Sequence, residues 1–244
     1  MNVFISGGTR GIGLAIAKRF TADGVASGKP MRIALGYMRN DSAAEEAAAE
    51  LRGLGVDATL VRGNITSKRV LDEVAALGPL DVLVHNAATG VIRPALETDE
   101  KHWDWTFDAN SRALLELAKV AAPKMPKGSS IVAISSLGSQ RVLENYGLVG
   151  TSKAALESLV RYLAVELAPR GIRVNCVSGG VVETGALDHF PNRDDMLRAG
   201  RANPVGRLVT PEDMAGAVAF LCSADADMIR GQTLIVDGGF SLLA

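Results

Sequence analysis

A chain of 244 residues and 25.5 kDa is long enough for one large α/β domain and needs neither disulfides nor a metal in place of a core. Hydrophobic residues at 48% and charged residues at 22% argue against long disordered regions, and 26 basic against 27 acidic side chains supply no electrostatic reason for a nucleic-acid or anionic-membrane partner. Three histidines (His85, His102, His189) and two cysteines (Cys176, Cys222) assemble no zinc-type cluster, so no metal is expected. Met1-Asn2-Val3-Phe4-Ile5 runs into glycines with no basic leader, and no run of about 18 apolar residues occurs. Secretion and membrane spanning are therefore not expected, and a reducing cytoplasm is.

Short β-branched runs alternate with helical patterns from end to end, the signature of βαβ units and a parallel sheet covered on both faces. In chain order the pattern predicts a strand at 2–6, a helix at 11–23, a strand at 31–36, a helix at 42–54, a strand at 57–61 and a helix at 67–77. A strand at 80–84, one long helix at 103–122, a strand at 129–134, a helix at 151–168, a strand at 172–177, a helix at 211–222 and a strand at 232–236 follow. Seven strands and six main helices make one doubly wound α/β domain over 1–244, a seven-stranded parallel sheet flanked by helices. No repeat or linker breaks it. The stretch 184–207 carries Asp188, Pro191, Asp194, Asp195, Pro204 and four arginines, Arg193, Arg198, Arg201 and Arg207. It is too long for a simple connection and reads as a substrate lid or a disordered segment.

Ser6-Gly7-Gly8-Thr9-Arg10-Gly11-Ile12-Gly13 follows the first strand and opens the first helix, the context a dinucleotide-binding turn needs. Gly7 and Gly11 allow a tight turn, Gly13 lets helix pack on strand, and free N–H groups at the helix start favour a pyrophosphate. A flexible turn with accidental glycines is the bland alternative. At the end of the second strand Gly36-Tyr37-Met38-Arg39-Asn40 has no acid to bond a ribose hydroxyl. Arg39 and Arg10 could instead clamp a 2′-phosphate; otherwise they are two solvated arginines.

Ser135-Ser136-Leu137-Gly138, Glu144-Asn145-Tyr146-Gly147 and Thr151-Ser152-Lys153-Ala154 place a Ser, a Tyr and a Lys in order after a sheet strand. With the glycine turn, His85-Asn86-Ala87-Ala88, Asn110, Gly179-Gly180-Val181-Val182-Glu183-Thr184 and Val236-Asp237-Gly238-Gly239, they resemble the short-chain dehydrogenase/reductase superfamily over nearly the whole chain. Ala88 and Gly179 depart from its usual Gly and Pro. The resemblance implies a Rossmann-like fold, Ser136, Tyr146, Lys153 and Asn110 as catalytic residues, and an NADPH site of Ser6, Gly7, Thr9, Arg10, Gly11, Ile12, Gly13, Arg39, Asn64, Ile65, Asn86, Ala87, Lys153, Val182 and Thr184. In that reading Lys153 holds the nicotinamide ribose, Asn110 joins a water or proton path, and Thr184 with the backbone around Val182 holds the carboxamide.

Most of the superfamily carries the tyrosine four residues before the lysine, where this chain has Val149; Tyr146 lies seven before Lys153. That spacing resembles the enoyl-acyl carrier protein reductases. His102-Trp103-Asp104-Trp105-Thr106, Leu143-Glu144-Asn145-Tyr146 and Met228-Ile229-Arg230-Gly231-Gln232 are similar to their NADPH-dependent bacterial branch. On a continuous helix, offsets of four and seven turn through about 400° and 700°, so both keep Tyr and Lys on one face while moving the phenol about 4.5 Å along the axis. Enoyl-thioester reduction sets hydride two bonds beyond the carbonyl carbon, so the oxygen to be stabilised lies farther from the nicotinamide. A displaced tyrosine suits that geometry. Tyr146 is then the general acid for the enolate oxygen, and the Lys153 charge favours its ionised form.

The resemblance also implies an acyl carrier protein or coenzyme A thioester as substrate, a place in fatty-acid or related acyl-chain synthesis, and a homotetramer formed through the helices at 103–122 and 151–168. Carbonyl reduction of a 3-oxoacyl thioester is the competing activity, and a non-catalytic NADPH sensor a remoter one. Trp103 and Trp105 read as core or interface packing more readily than as an acyl tunnel. His85 and His102 read as structural, and Ala26-Ser27-Gly28-Lys29-Pro30 as a surface loop.

Overall fold

The computed structural model describes residues 1–185, 187 and 192–243. Seven strands, β1 (Asn2–Ser6), β2 (Arg32–Tyr37), β3 (Asp57–Arg62), β4 (Val82–His85), β5 (Ser130–Ser136), β6 (Arg173–Gly179) and β7 (Thr233–Val236), form one sheet in the order β3-β2-β1-β4-β5-β6-β7. All six pairings are parallel. β4 and β6 are buried along their whole length; the Val82-Leu83-Val84 run of β4 shows it directly, whereas β6 buries Arg173, Asn175 and Ser178 as well, with Arg173 and Asn175 bonded inside the protein. Successive residues serve opposite faces: Ile5 of β1 joins Ile16, Phe20, Leu35, Val132 and Val218 on one side, and Phe4 joins Leu83, Leu114, Ile131, Leu156 and Val160 on the other.

The strand order reverses at β1, whose neighbours are β2 and β4, so a crevice opens beyond the carboxyl ends of β1 and β4. The helices that frame it are α1 (Gly11–Ala26), α2 (Asp41–Gly53), α3 (Lys68–Ala76), α4 (Glu100–Phe107), α5 (Ala113–Ala121), α6 (Gly147–Leu167), α7 (Arg193–Arg201) and α8 (Pro211–Cys222). Half of them, α2, α3, α4 and α8, start on a polar side-chain cap: Asn40 accepts from Ala43 N at 3.1 Å, Ser67 accepts from Val70 N, and Asp99 with His102, then Thr210 with Asp213, form reciprocal capping boxes. His102 is thus structural, as expected.

Three elements differ from the sequence expectation. The helix at 103–122 is two helices joined by a π-turn at Asp108–Arg112, because the Asn110 side chain is bonded to the backbone of Thr89 and not left to solvent. α6 starts at Gly147, four residues early, since burial of Leu148 and Val149 outweighs the cost of two glycines. The stretch 184–207 contains α7, whose acids Asp194 and Asp195 stand in its first turn and Arg198 and Arg201 in its last, complementing the helix dipole. Leu197 anchors it on Leu187 and Leu208. Asp188, His189 and Pro191 lie outside the described residues. Among the described residues no helix is long and apolar enough to cross a membrane, and no group of His, Cys, Asp and Glu could hold a metal ion.

Candidate active site

The glycine turn lies at the head of the crevice. Gly7 (φ +65°) and Gly11 (φ +52°) adopt left-handed backbone, which side chains rarely tolerate, and a Cβ on Gly13 would run into the Gly7 carbonyl oxygen. Asn86 Nδ2 donates to that same oxygen at 2.8 Å. Ser6 is fully buried, and its Oγ accepts the N–H groups of Asn86 (3.1 Å) and Ala87 (3.0 Å). Ser6 and Asn86 therefore shape the turn from beneath. α1 begins without a side-chain cap, leaving its first N–H groups for an anion, and Thr184 stands across from Gly11, its Cγ2 3.5 Å from where a Gly11 Cβ would be.

Thr9 is buried, Ile12 half-buried, and Arg10 and Arg39 are exposed. Asp41, the first acid after Arg39, is engaged by Tyr37 Oη at 2.9 Å and Arg62 Nε at 3.2 Å, so it does not neutralise the arginine. Asn64 folds its Oδ1 back onto Thr66 N, an Asx-type turn that follows β3, and Ile65 is buried beside it. Val182 is buried and bridges to Val209. These residues fit a nicotinamide dinucleotide: Gly7 and Gly11 take left-handed backbone and Gly13 has no room for a Cβ, the helix start is open, and a cation, Arg39, follows the second strand.

Ser136 ends β5, and its Oγ accepts Gly138 N at 3.3 Å. Tyr146 is the N-cap of α6, with φ −99° and ψ 10°, and its carbonyl starts the helical ladder by accepting Gly150 N at 2.7 Å. The phenol is therefore presented from a turn, not from a helix extended back to 146. Its ring packs on Gly138, where a Cβ would lie 2.5 Å from Cδ1 and Cε1, and its hydroxyl is hydrogen-bonded with that of Ser136. Burial pushes the phenol above its ordinary 10, while the Ser136 bond works in the opposite sense. Val149, in the usual tyrosine place, is buried against Gly90 and close to Thr106.

Lys153 is buried and donates from Nζ to the Ile134 carbonyl at 2.7 Å. Loss of solvent lowers the ammonium to about 8, against the opposing influence of Cys176 and Glu157. Asn110, with no exposure, accepts Thr89 N at 2.8 Å and donates to Thr89 O (2.8 Å) and Ser152 Oγ (2.9 Å). Its side chain is a clamp between the β4 loop and α6. Its carbonyl faces His85 Nε2 at 3.1 Å. Because Ser6 Oγ already accepts two N–H groups, its proton goes to His85 Nδ1 at 3.0 Å, so His85 is the neutral Nε2–H tautomer. Burial, then the Lys153 charge, holds its pKa down to about 3.

Residues missed in the sequence also converge here. Glu157, one turn beyond Lys153 on α6, accepts Ser135 Oγ and Ser139 Oγ, both at 2.6 Å. The signal was present as an i,i+4 Lys-Glu pair, but an acid in a helix reads as solvated until its burial is known. Trp103 and Trp105 are about half exposed, Trp103 stacking on Phe107 at 4.2 Å, so neither belongs to the core.

Crevice, glycine turn and the Ser-Tyr-Lys grouping define the class: a short-chain dehydrogenase/reductase. A family model described as "Enoyl-(Acyl carrier protein) reductase" matches residues 7–241. The chain is 36% identical over 248 residues to 1-cyclohexenylcarbonyl-CoA reductase of Streptomyces collinus, covering 98% of this chain and 86% of that protein. Among solved structures, BdcA in complex with NADPH superposes with a TM-score of 0.86 at 33% identity, over 98% of this chain and 93% of BdcA. Enoyl-[acyl-carrier-protein] reductase (NADH) from Aquifex aeolicus VF5 does so with 0.88 at 27%, over 100% and 97%. The chain belongs to this family and is an NAD(P)-dependent oxidoreductase of the short-chain dehydrogenase/reductase superfamily.

Proposed function

We propose that the protein is an NADPH-dependent enoyl-thioester reductase, acting on the 2,3-double bond of an acyl carrier protein or coenzyme A thioester in fatty-acid or related acyl-chain synthesis. One observation carries the reading: the phenol of Tyr146 is held at the head of α6, seven residues before Lys153, while Val149 packs an aliphatic side chain into the nearer place. The reductase from Streptomyces collinus, named for a CoA ester, agrees with it. For the cofactor, BdcA holds NADPH and the Aquifex enzyme is named for NADH; Arg10, Arg39 and the missing acid favour the 2′-phosphate.

Bound in the crevice, NADPH would supply the hydride. The glycine turn and the open start of α1 would receive its pyrophosphate, Arg10 and Arg39 its 2′-phosphate, and Thr184 with Val182 its carboxamide. Tyr146 donates a proton to the oxygen of the developing enolate, as general acid and oxyanion stabiliser. Ser136 orients that hydroxyl. Lys153 would hold the ribose hydroxyls, and its positive charge would favour proton release from the phenol. Exposed Trp103 and Trp105 on α4 and Tyr162 and Val165 on α6 support assembly of four copies through these helices, and two free cysteines suit a reducing cytoplasm.

The test is NADPH oxidation measured side by side on a crotonyl-type and an acetoacetyl-type thioester. Turnover of the first is expected. Turnover of the second alone would make the protein a carbonyl reductase with a different acid.

A further inference from the structure

Within that reductase reading, we propose that Glu157 is a positioning residue of the active site: its buried carboxylate anchors the loop that carries Ser136 and Gly138, and supplies the anion that faces Lys153. Glu157 is 5% exposed, and a carboxylate taken out of water is costly unless it is fully matched. It is matched by one loop. Oε1 accepts Ser135 Oγ and Ser139 Oγ at 2.6 Å each, and Oε2 accepts Gln140 Nε2 at 3.3 Å. Ser135 and Ser139 bracket Ser136, which is hydrogen-bonded with Tyr146, and Gly138, against which the Tyr146 ring lies. A single side chain thus sets both the hydroxyl and the surface that orient the phenol.

The second half concerns charge. Lys153 and Glu157 are four residues apart on α6 and share a face, and Lys153 Nζ is bound to Ile134 O, the residue before Ser135. The other titratable groups that face the ammonium are Cys176 on β6 and His85 on β4. Burial keeps the first a thiol, pushed up to about 12, and the second a neutral imidazole. Among the described residues Glu157 is left as the anion opposing the desolvation of Lys153. A structural packing role alone would be served as well by an apolar side chain at this depth.

Glu157→Gln keeps the shape and can still accept both serines through its amide oxygen, but removes the charge; Glu157→Ala removes charge and anchor. Removing a neighbouring anion lowers the pKa of a cation, so in Glu157→Gln the alkaline limb of the kcat profile should move about one pH unit toward acid. The same displacement is expected in the pH dependence of NADPH affinity, read by nicotinamide fluorescence with no thioester present. Glu157→Ala should lose about 10- to 100-fold in kcat, as for other residues that orient a reacting group, with the amide variant recovering part of it. Circular dichroism and melting would show both variants folded. Turnover is read on whichever thioester the wild type reduces, so a carbonyl-reductase result overturns the enoyl reading and leaves this test standing. Wild-type kcat in Glu157→Ala, or losses in both variants that merely track unfolded protein with the pH profiles unmoved, would overturn the role of Glu157.

Discussion

Tyr146 is presented by a turn held in an unusual conformation. Asn145, just before it, has φ +59°, a left-handed value that asparagine tolerates better than most residues, and its carbonyl accepts Arg93 N at 2.9 Å. The phenol therefore emerges from a pinned backbone. Tyr146→Phe keeps the ring and removes the proton, so turnover should fall by roughly 10²- to 10⁴-fold, with NADPH affinity measured by fluorescence nearly unchanged. At the other end of the crevice, exposed Arg39 has no acid claiming it among the described residues once Asp41 is taken by Tyr37 and Arg62. Arg39→Ala should weaken NADPH about tenfold or more, about 1.4 kcal/mol, and leave NADH untouched in the same titration; equal losses for both cofactors would remove the clamp. Both side chains were legible in the sequence because type and spacing carry the information. Ser6 and Asn86 were legible only as members of a motif, and the structure places them beneath the turn as its supports.

At the scale of elements, the β5 loop and the start of α6 interlock through missing side chains. Gly138 faces the Tyr146 ring, and a Cβ on Gly150 would lie 2.5 Å from the Gly138 carbonyl oxygen. Gly138→Ala should therefore displace the ring without disturbing the core; a misplacement of about 1 Å costs on the order of 10² in turnover. Assay and melting together check this, since an unchanged kcat would mean that the ring is free to yield. The split of the long helix into α4 and α5 was hidden because its apolar spacing runs on without interruption. The π-turn at Asp108–Arg112 arises where Asn110 bonds Thr89 and Ser152 and its carbonyl meets His85, and those partners lie 21, 42 and 25 residues away. α7 was hidden for another reason. Prolines and charges made 184–207 resemble a loop, although acids first and arginines last were there to be read.

For the whole molecule, burial of His85 ties folding to pH. Its pKa of about 3 lies below the ordinary 6.5, so the unfolded chain binds the extra proton between those values. Stability is then fully present above about pH 6.5 and is lost as pH falls, at up to about 1.4 kcal/mol per pH unit. Denaturant melts at pH 7 and pH 4.5 should show the wild type losing about 2 kcal/mol more than His85→Gln, which has no such group; equal losses would mean that another group dominates. Assembly belongs to this scale too. With Tyr162 and Val165 exposed on α6 and Trp103 and Trp105 on α4, light scattering at micromolar concentration should report a tetramer, and Val165→Glu should shift it toward smaller species.

The sequence by itself determined the seven-stranded doubly wound fold, the glycine turn, the order Ser136, Tyr146, Lys153 and the substitution of Val149, because hydrophobic period and residue spacing are local properties. Tertiary structure alone decided which polar groups are used inside the protein. The Asn110 clamp, the His85 tautomer and the Glu157 anchor each join segments that are distant in the chain, and a buried polar group declares its role only through the partners that offset its lost water.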